Sequence, residues 1–99
     1  MYGILVTYDM SKYNDYKAVF LHKTTSMNDI LVYTSDISTY FTFNTIKEAQ
    51  TWFNEWVIVN RAYTHIPIEY FKVTEILEGV NTLGYIPDTE IVQFSILPI

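Results

Sequence analysis

The sequence contains no cysteine, and this absence excludes several classes of protein at once. Without thiols the chain can hold no disulfide framework, no thiolate zinc site and no cysteine nucleophile. Because small secreted domains usually depend on disulfides, we expect this chain to work in the cytoplasm.

Residues that build many cofactor and catalytic sites are also scarce. The three glycines, Gly3, Gly79 and Gly84, supply neither of the common glycine-rich phosphate loops. The two histidines, His22 and His65, are not spaced as zinc ligands, and no serine lies in the G-x-S-x-G elbow of hydrolases. We therefore expect no cofactor, no metal and no enzymatic activity.

Long apolar runs are missing as well, and basic residues are few. The longest aliphatic run, residues 57–59, is far short of the ~20 residues that a membrane span requires. Residues 1–6 lack the basic and apolar regions of a signal peptide and resemble a strand instead. The chain has 6 Lys and Arg against 11 Asp and Glu, a net charge of −5. That sign disfavours attraction to nucleic acid or to an anionic membrane, so we expect neither as a direct partner.

Net negative charge is concentrated near the end of the sequence. From residue 73 onward there is no Lys or Arg, whereas the stretch 79–88, rich in turn residues, predicts an exposed loop that carries Tyr85. Two interpretations fit this pattern: a solvated surface that keeps the protein soluble, or an acidic face that binds a basic partner. On the second interpretation the candidate partner-binding residues are Glu75, Glu78, Tyr85, Asp88 and Glu90.

The residues that are abundant predict one folded domain over residues 1–99. Hydrophobic residues make up 49% of the chain and charged residues 17%, which is typical of a globular protein rather than a disordered one. Aliphatic, β-branched and aromatic residues cluster at 2–8, 16–22, 30–34 and 91–97 and predict strands.

Two further segments alternate as strands do. Residues 37–43 place Ile37, Thr39, Phe41 and Phe43 on one face, and either extend the third strand past a bulge or form another strand. Residues 68–76 alternate in the same way, and we expect Phe71 and Val73 to face inward.

One helix is predicted from Thr45 to about Asn60. Thr45 and Glu48 have the spacing of a capping box, in which two free amides at a helix start are satisfied. Apolar residues then recur three and four apart at Ile46, Ala49, Trp52, Phe53 and Trp56, while polar residues occupy the other side at Lys47, Gln50, Asn54 and Glu55. The predicted fold is α+β: an antiparallel sheet of about five strands, in the order β-β-β-α-β-β, with one amphipathic helix packed on one face through Trp52, Phe53 and Trp56.

Aromatic side chains are numerous, with nine tyrosines, six phenylalanines and two tryptophans. Most are expected in the core, but aromatics are also frequent at the centres of protein interfaces. Four tyrosines fall in predicted loops or on the more polar strand face, where a binding role competes with burial: Tyr13, Tyr40, Tyr63 and Tyr85.

The short length, the frequent Asn, Ile, Tyr and Lys, and the strand-then-helix segment 41–56 resemble small accessory proteins encoded by bacteriophages of low-GC bacteria. The resemblance implies a protein that acts by binding and blocking one host protein. Some proteins of this kind resemble DNA electrostatically and occupy a DNA-binding surface, which implies a basic DNA-binding protein as one candidate partner.

Three functional hypotheses follow from the sequence. The first is a non-enzymatic protein-binding module, a phage-type inhibitor of a host protein, with an acidic surface in place of nucleic acid. The second is a small-molecule or nucleotide-binding protein whose site lies between helix and sheet and is completed by a homodimer. The third is an enzyme whose site combines His22, His65 and nearby carboxylates.

Overall fold

The computed structural model describes residues 1–10, 15–27, 31–60, 68–69, 84–85 and 91–99. These residues form an α+β fold in which one helix packs on one face of a mostly antiparallel sheet, so the predicted fold class is confirmed. The strands are β1 (Tyr2–Met10), β2 (Asp15–Leu21), β3 (Val32–Thr34), β4 (Thr42–Phe43), β5 (Ile68–Glu69), β6 (Gly84–Tyr85) and β7 (Ile91–Pro98), and helix α1 spans Ile46–Asn60.

The sheet places the first and the last described strands side by side. Its order is β5-β7-β1-β2-β3-β6, and β4 pairs with the start of β1. β5 runs parallel to β7, whereas all the other described pairs are antiparallel. β4 and β5 therefore point the same way, and α1, which contacts β1, β4 and β7, crosses the sheet between them.

β1 is buried on both faces of the sheet. Ile4 and Val6 point toward the helix and join the main core, whereas Leu5 belongs to a smaller cluster on the opposite face. Phe20 and Tyr40 pack in that second cluster, with ring centroids 4.3 Å apart. The consecutive apolar residues of β1 are explained by this two-sided burial.

A β-bulge interrupts the pairing of β7 with β1. Thr7 pairs with Gln93 but Tyr8 pairs with Ile91, so Val92 is the extra residue of the bulged strand. In a regular strand Val92 would share the face of Phe94, and the bulge is the reason that Ile91 lies on that face in the main core while Val92 is exposed.

Both ends of α1 are fixed by side-chain hydrogen bonds. At its start, Glu48 donates its backbone N–H to the Thr45 hydroxyl at 3.1 Å, and its carboxylate accepts the Asn44 N–H at 3.1 Å. The capping box is confirmed, with the carboxylate reaching one residue further back than the usual pattern. At its end, the Asn60 amide donates to the Trp56 carbonyl at 2.8 Å and to the Met27 carbonyl at 3.1 Å.

Aromatic rings fill the space between helix and sheet. Trp56 is 1% exposed, and the Phe94 ring of β7 lies 6.3 Å from it and 4.5 Å from the Phe53 ring. Trp52 differs from the prediction, because it is only partly buried at the flank of the helix beside Phe41. The centre of the buried stripe is Ala49, Phe53 and Trp56, and Trp52 lies about 100° around the helix from Phe53.

The predicted strand over residues 37–43 is wrong in its first half. Residues 37–39 form a 3₁₀-helix, Ile37 is 69% exposed, and only Thr42 and Phe43 form the short strand β4. Asp36 causes the turn, since its carboxylate accepts the backbone N–H of Ser38 at 3.1 Å and the Ser38 hydroxyl at 2.8 Å. Such local bonds compete with a strand ladder.

Other predicted features have different outcomes. Tyr40, a candidate surface tyrosine, follows the 3₁₀-helix and forms an isolated antiparallel β-bridge with His22. Its ring is consequently buried against Phe20. The predictions for Tyr13, Tyr63, Phe71 and Val73 lie outside the described residues.

We expect Trp56→Ala to lower the free energy of unfolding by about 3–5 kcal/mol, as for other buried large aromatics. Trp52→Ala should cost roughly half as much, because its ring is already partly in solvent. Urea denaturation measures both losses, and the exposed Asn54→Ala serves as the control. Equal losses for the two tryptophans would contradict the face assignment.

Candidate functional site

The sequence-predicted partner site lies mostly outside the described residues. Glu75, Glu78, Asp88 and Glu90 belong to that undescribed part, and their placement stays a prediction. Tyr85 is described through its backbone only: it lies in strand β6 and pairs with Val32 of β3, not in a loop as expected. The loop was predicted from the turn residues around Tyr85. The pairing of Tyr85 with β3, which is distant in sequence, cannot be recognised from local composition.

His22 follows β2 directly and is 9% exposed, in agreement with its prediction as a strand-end residue. Its ring nitrogen Nδ1 lies 3.0 Å from the backbone N of Thr24 and 2.8 Å from the Thr24 hydroxyl. Since a backbone N–H can only donate, Nδ1 must accept, and the neutral ring therefore carries its proton on Nε2. Among the described residues, no three His, Asp or Glu side chains lie together as metal ligands would.

The surroundings of His22 favour its neutral form. Burial lowers the pKa of the imidazole below the ordinary 6.5, the nearby Lys23 lowers it further, and the Asp36 carboxylate opposes both. Protonation of Nδ1 would also remove the acceptor of the hydrogen bond from the Thr24 backbone N–H.

This environment predicts a loss of stability in mild acid. Because the folded state holds a depressed His22 pKa, the unfolded state binds more protons once the pH falls below 6.5, so the stabilisation present above that pH is lost progressively. Urea denaturation between pH 7.5 and 4.5 should show a smaller decline for His22→Gln than for the wild type. Asp36→Asn should make the decline larger, because it removes the carboxylate that opposes the lowering of the His22 pKa. A His22→Gln curve parallel to the wild-type curve would contradict this account.

A groove open to solvent runs along the first ten residues of α1, and we call it the α1 groove. It has a volume of about 530 Å³. Its lining residues are Phe43, Thr45, Lys47, Glu48, Thr51, Trp52 and Glu55.

The floor of the α1 groove is aromatic. Phe43 of β4 lies 6.1 Å from Trp52, and Phe41 stacks on Phe43 at 4.7 Å while meeting Trp52 edge-on at 5.0 Å. Phe43 and Trp52 line the groove, and Phe41 supports both rings without lining it. All three rings pack in or against the main core. The floor is consequently preorganised, which reduces the entropy lost when a partner binds.

The walls of the α1 groove carry charges of both signs. Lys47 and Glu55 are exposed, and neither forms an ion pair with any residue that the structure describes. Thr51 lies between them, and its hydroxyl donates to the Lys47 carbonyl at 2.9 Å.

Sequence reasoning assigned Trp52 to the core and so did not identify this groove. A partial signal was present, because Glu48 and Glu55 lie four residues before and three residues after Trp52, on the same side of a helix. The contribution of Phe43 depends on the position of β4 beside α1, which requires the tertiary structure.

Comparison of the chain with protein-family models, curated proteins and solved structures found no significant match. Within the described ranges, no helix combines the length and apolar character needed to cross a membrane.

Proposed function

We propose that this chain is a non-enzymatic protein-binding module and that the α1 groove is its contact surface. The observation that carries the proposal is a preorganised aromatic floor bordered by Lys47 and Glu55, two charges without an ion-pair partner in the described part of the chain. Protein interfaces commonly combine a central aromatic anchor with a polar, charged rim.

The competing hypothesis of a small-molecule site between helix and sheet receives less support. That space holds the rings of Phe53, Trp56 and Phe94, which pack directly against one another. A ligand placed there would have to displace the core that attaches the helix to the sheet.

A narrower proposal is a phage-type inhibitor that blocks a cytoplasmic host protein. It is supported by the resemblance to phage accessory proteins and by the net charge of −5, which favours a basic partner. The α1 groove itself contributes two carboxylates and one ammonium group, so we propose recognition of a basic partner rather than replacement of a whole DNA surface.

The proposal predicts that a partner captured by the wild-type protein is lost from groove variants. Four tagged proteins are used to capture proteins from a lysate of a low-GC bacterium: the wild type, Trp52→Ala, Glu55→Lys and Ile58→Ala. Mass spectrometry quantifies the captured proteins. Ile58 is 70% exposed on the same helix but does not line the groove, so Ile58→Ala should retain the partner. Thermal unfolding confirms that each variant is folded at the assay temperature. Equal capture by all four proteins would overturn the proposal.

The acidic segment can be tested separately through binding kinetics. Neutral isosteres at Glu75, Glu78, Asp88 and Glu90 should slow association and reduce its salt dependence, because exposed charges mainly steer encounter. Tyr85→Ala should instead speed dissociation if the ring is an anchor. Surface plasmon resonance with the captured partner measures both rates. Unchanged rates and salt dependence would show that this segment only keeps the protein soluble.

A further inference from the structure

Two carboxylates flank the indole of Trp52 on the surface of α1. Glu48 lies four residues before Trp52 and Glu55 three residues after it, and side chains at these spacings are neighbours on one helix face. All three residues line the α1 groove. The groove therefore offers an aromatic ring with a negative charge toward either end of it.

Both carboxylates keep the capacity to accept hydrogen bonds. One oxygen of Glu48 accepts the Asn44 N–H, which leaves its second oxygen available. Glu55 is exposed and has no ion pair within the described residues. Lys47 lies about 140° around the helix from Trp52 and beyond the two carboxylates, so its ammonium group is at the side of the groove farthest from the indole.

We propose that the α1 groove recognises an arginine side chain of a partner protein, with the guanidinium over Trp52 and paired with Glu55; this inference rests on the proposed function. A guanidinium is planar and weakly hydrated, stacks on aromatic faces and pairs with carboxylates through two parallel hydrogen bonds. Tryptophan is the most favourable ring for a cation. A lysine ammonium is more strongly hydrated and cannot stack, so it fits the same site less well.

Other side chains match the groove less well. An acidic side chain over Trp52 would meet like charges, and an aliphatic one would remove water from the carboxylates without replacing its hydrogen bonds. The groove volume of about 530 Å³ exceeds that of one guanidinium, so residues next to the arginine also contact the walls. Lys47, at the side of the groove farthest from Trp52, favours an acidic residue among those neighbours.

The test begins with selection of displayed random peptides on the immobilised wild-type protein. We expect an arginine at one fixed position of the enriched peptides. The consensus peptide is then synthesised with arginine, lysine or the neutral analogue citrulline at that position, and its dissociation constants are measured by fluorescence anisotropy. Citrulline should weaken binding about tenfold, and lysine should fall between the two.

Groove variants show where the arginine binds. Glu55→Gln and Trp52→Leu should each abolish the preference for arginine over citrulline, whereas the exposed Asn54→Ala should retain it. Trp52→Leu keeps an apolar side chain but removes the ring, and Glu55→Gln changes only an exposed group, so binding can be compared in folded proteins.

The outcomes separate this inference from the proposed function. The enriched peptides could lack a fixed arginine and still bind the Trp52→Leu variant more weakly than the wild type. That result would overturn arginine recognition and leave the α1 groove as the contact surface. Absence of enriched peptides, or peptide binding indifferent to both groove variants, would overturn both proposals. Sedimentation that shows a wild-type dimer dissociated by Trp52→Leu would identify a second copy of the chain as the occupant, and would overturn arginine recognition of a separate partner.

Discussion

The packing of Phe94 against Phe53 and Trp56 is the contact on which the rest of the described structure depends. Phe94 belongs to β7, which pairs along nearly all of β1, so this contact attaches the helix to the centre of the sheet. It also fixes the rotation of α1 about its axis. With Phe53 and Trp56 turned inward, the 3.6-residue repeat directs Trp52 toward Phe41 and Phe43. The aromatic floor of the groove thus follows from the packing of the core.

The parts of the fold that were predictable from the sequence depend on short-range signals. The start of α1 follows from Thr45 and Glu48, and its buried stripe from the spacing of Ala49, Phe53 and Trp56. Residues 37–43 show the limit of this reasoning, because their alternation predicts a strand while the Asp36 side chain stabilises a 3₁₀-helix. The adjacency of β1 and β7 and the parallel pairing of β5 carry no local sequence signal.

The candidate site was less predictable than the fold. The distribution of charge along the sequence favours a site at the acidic residues after Val73. Charge alone does not show whether carboxylates lie beside an aromatic ring that a partner could contact. Glu48, Trp52 and Glu55 have helix-face spacing, but an apolar stripe containing two tryptophans does not reveal which ring is central and which is peripheral. The answer depends on where Phe94 meets the helix, and therefore on tertiary structure.

The central position of β7 has a consequence for how the protein is made. β1 leaves the ribosome long before its longest neighbour, β7 (Ile91–Pro98). Until those residues emerge, one edge of β1 lacks this partner, and Phe53 and Trp56 lack the ring against which they pack. Strand pairing across such a sequence distance makes folding slow and exposes apolar surface meanwhile. Until β7 has been made, the nascent chain therefore exposes apolar surface that favours aggregation.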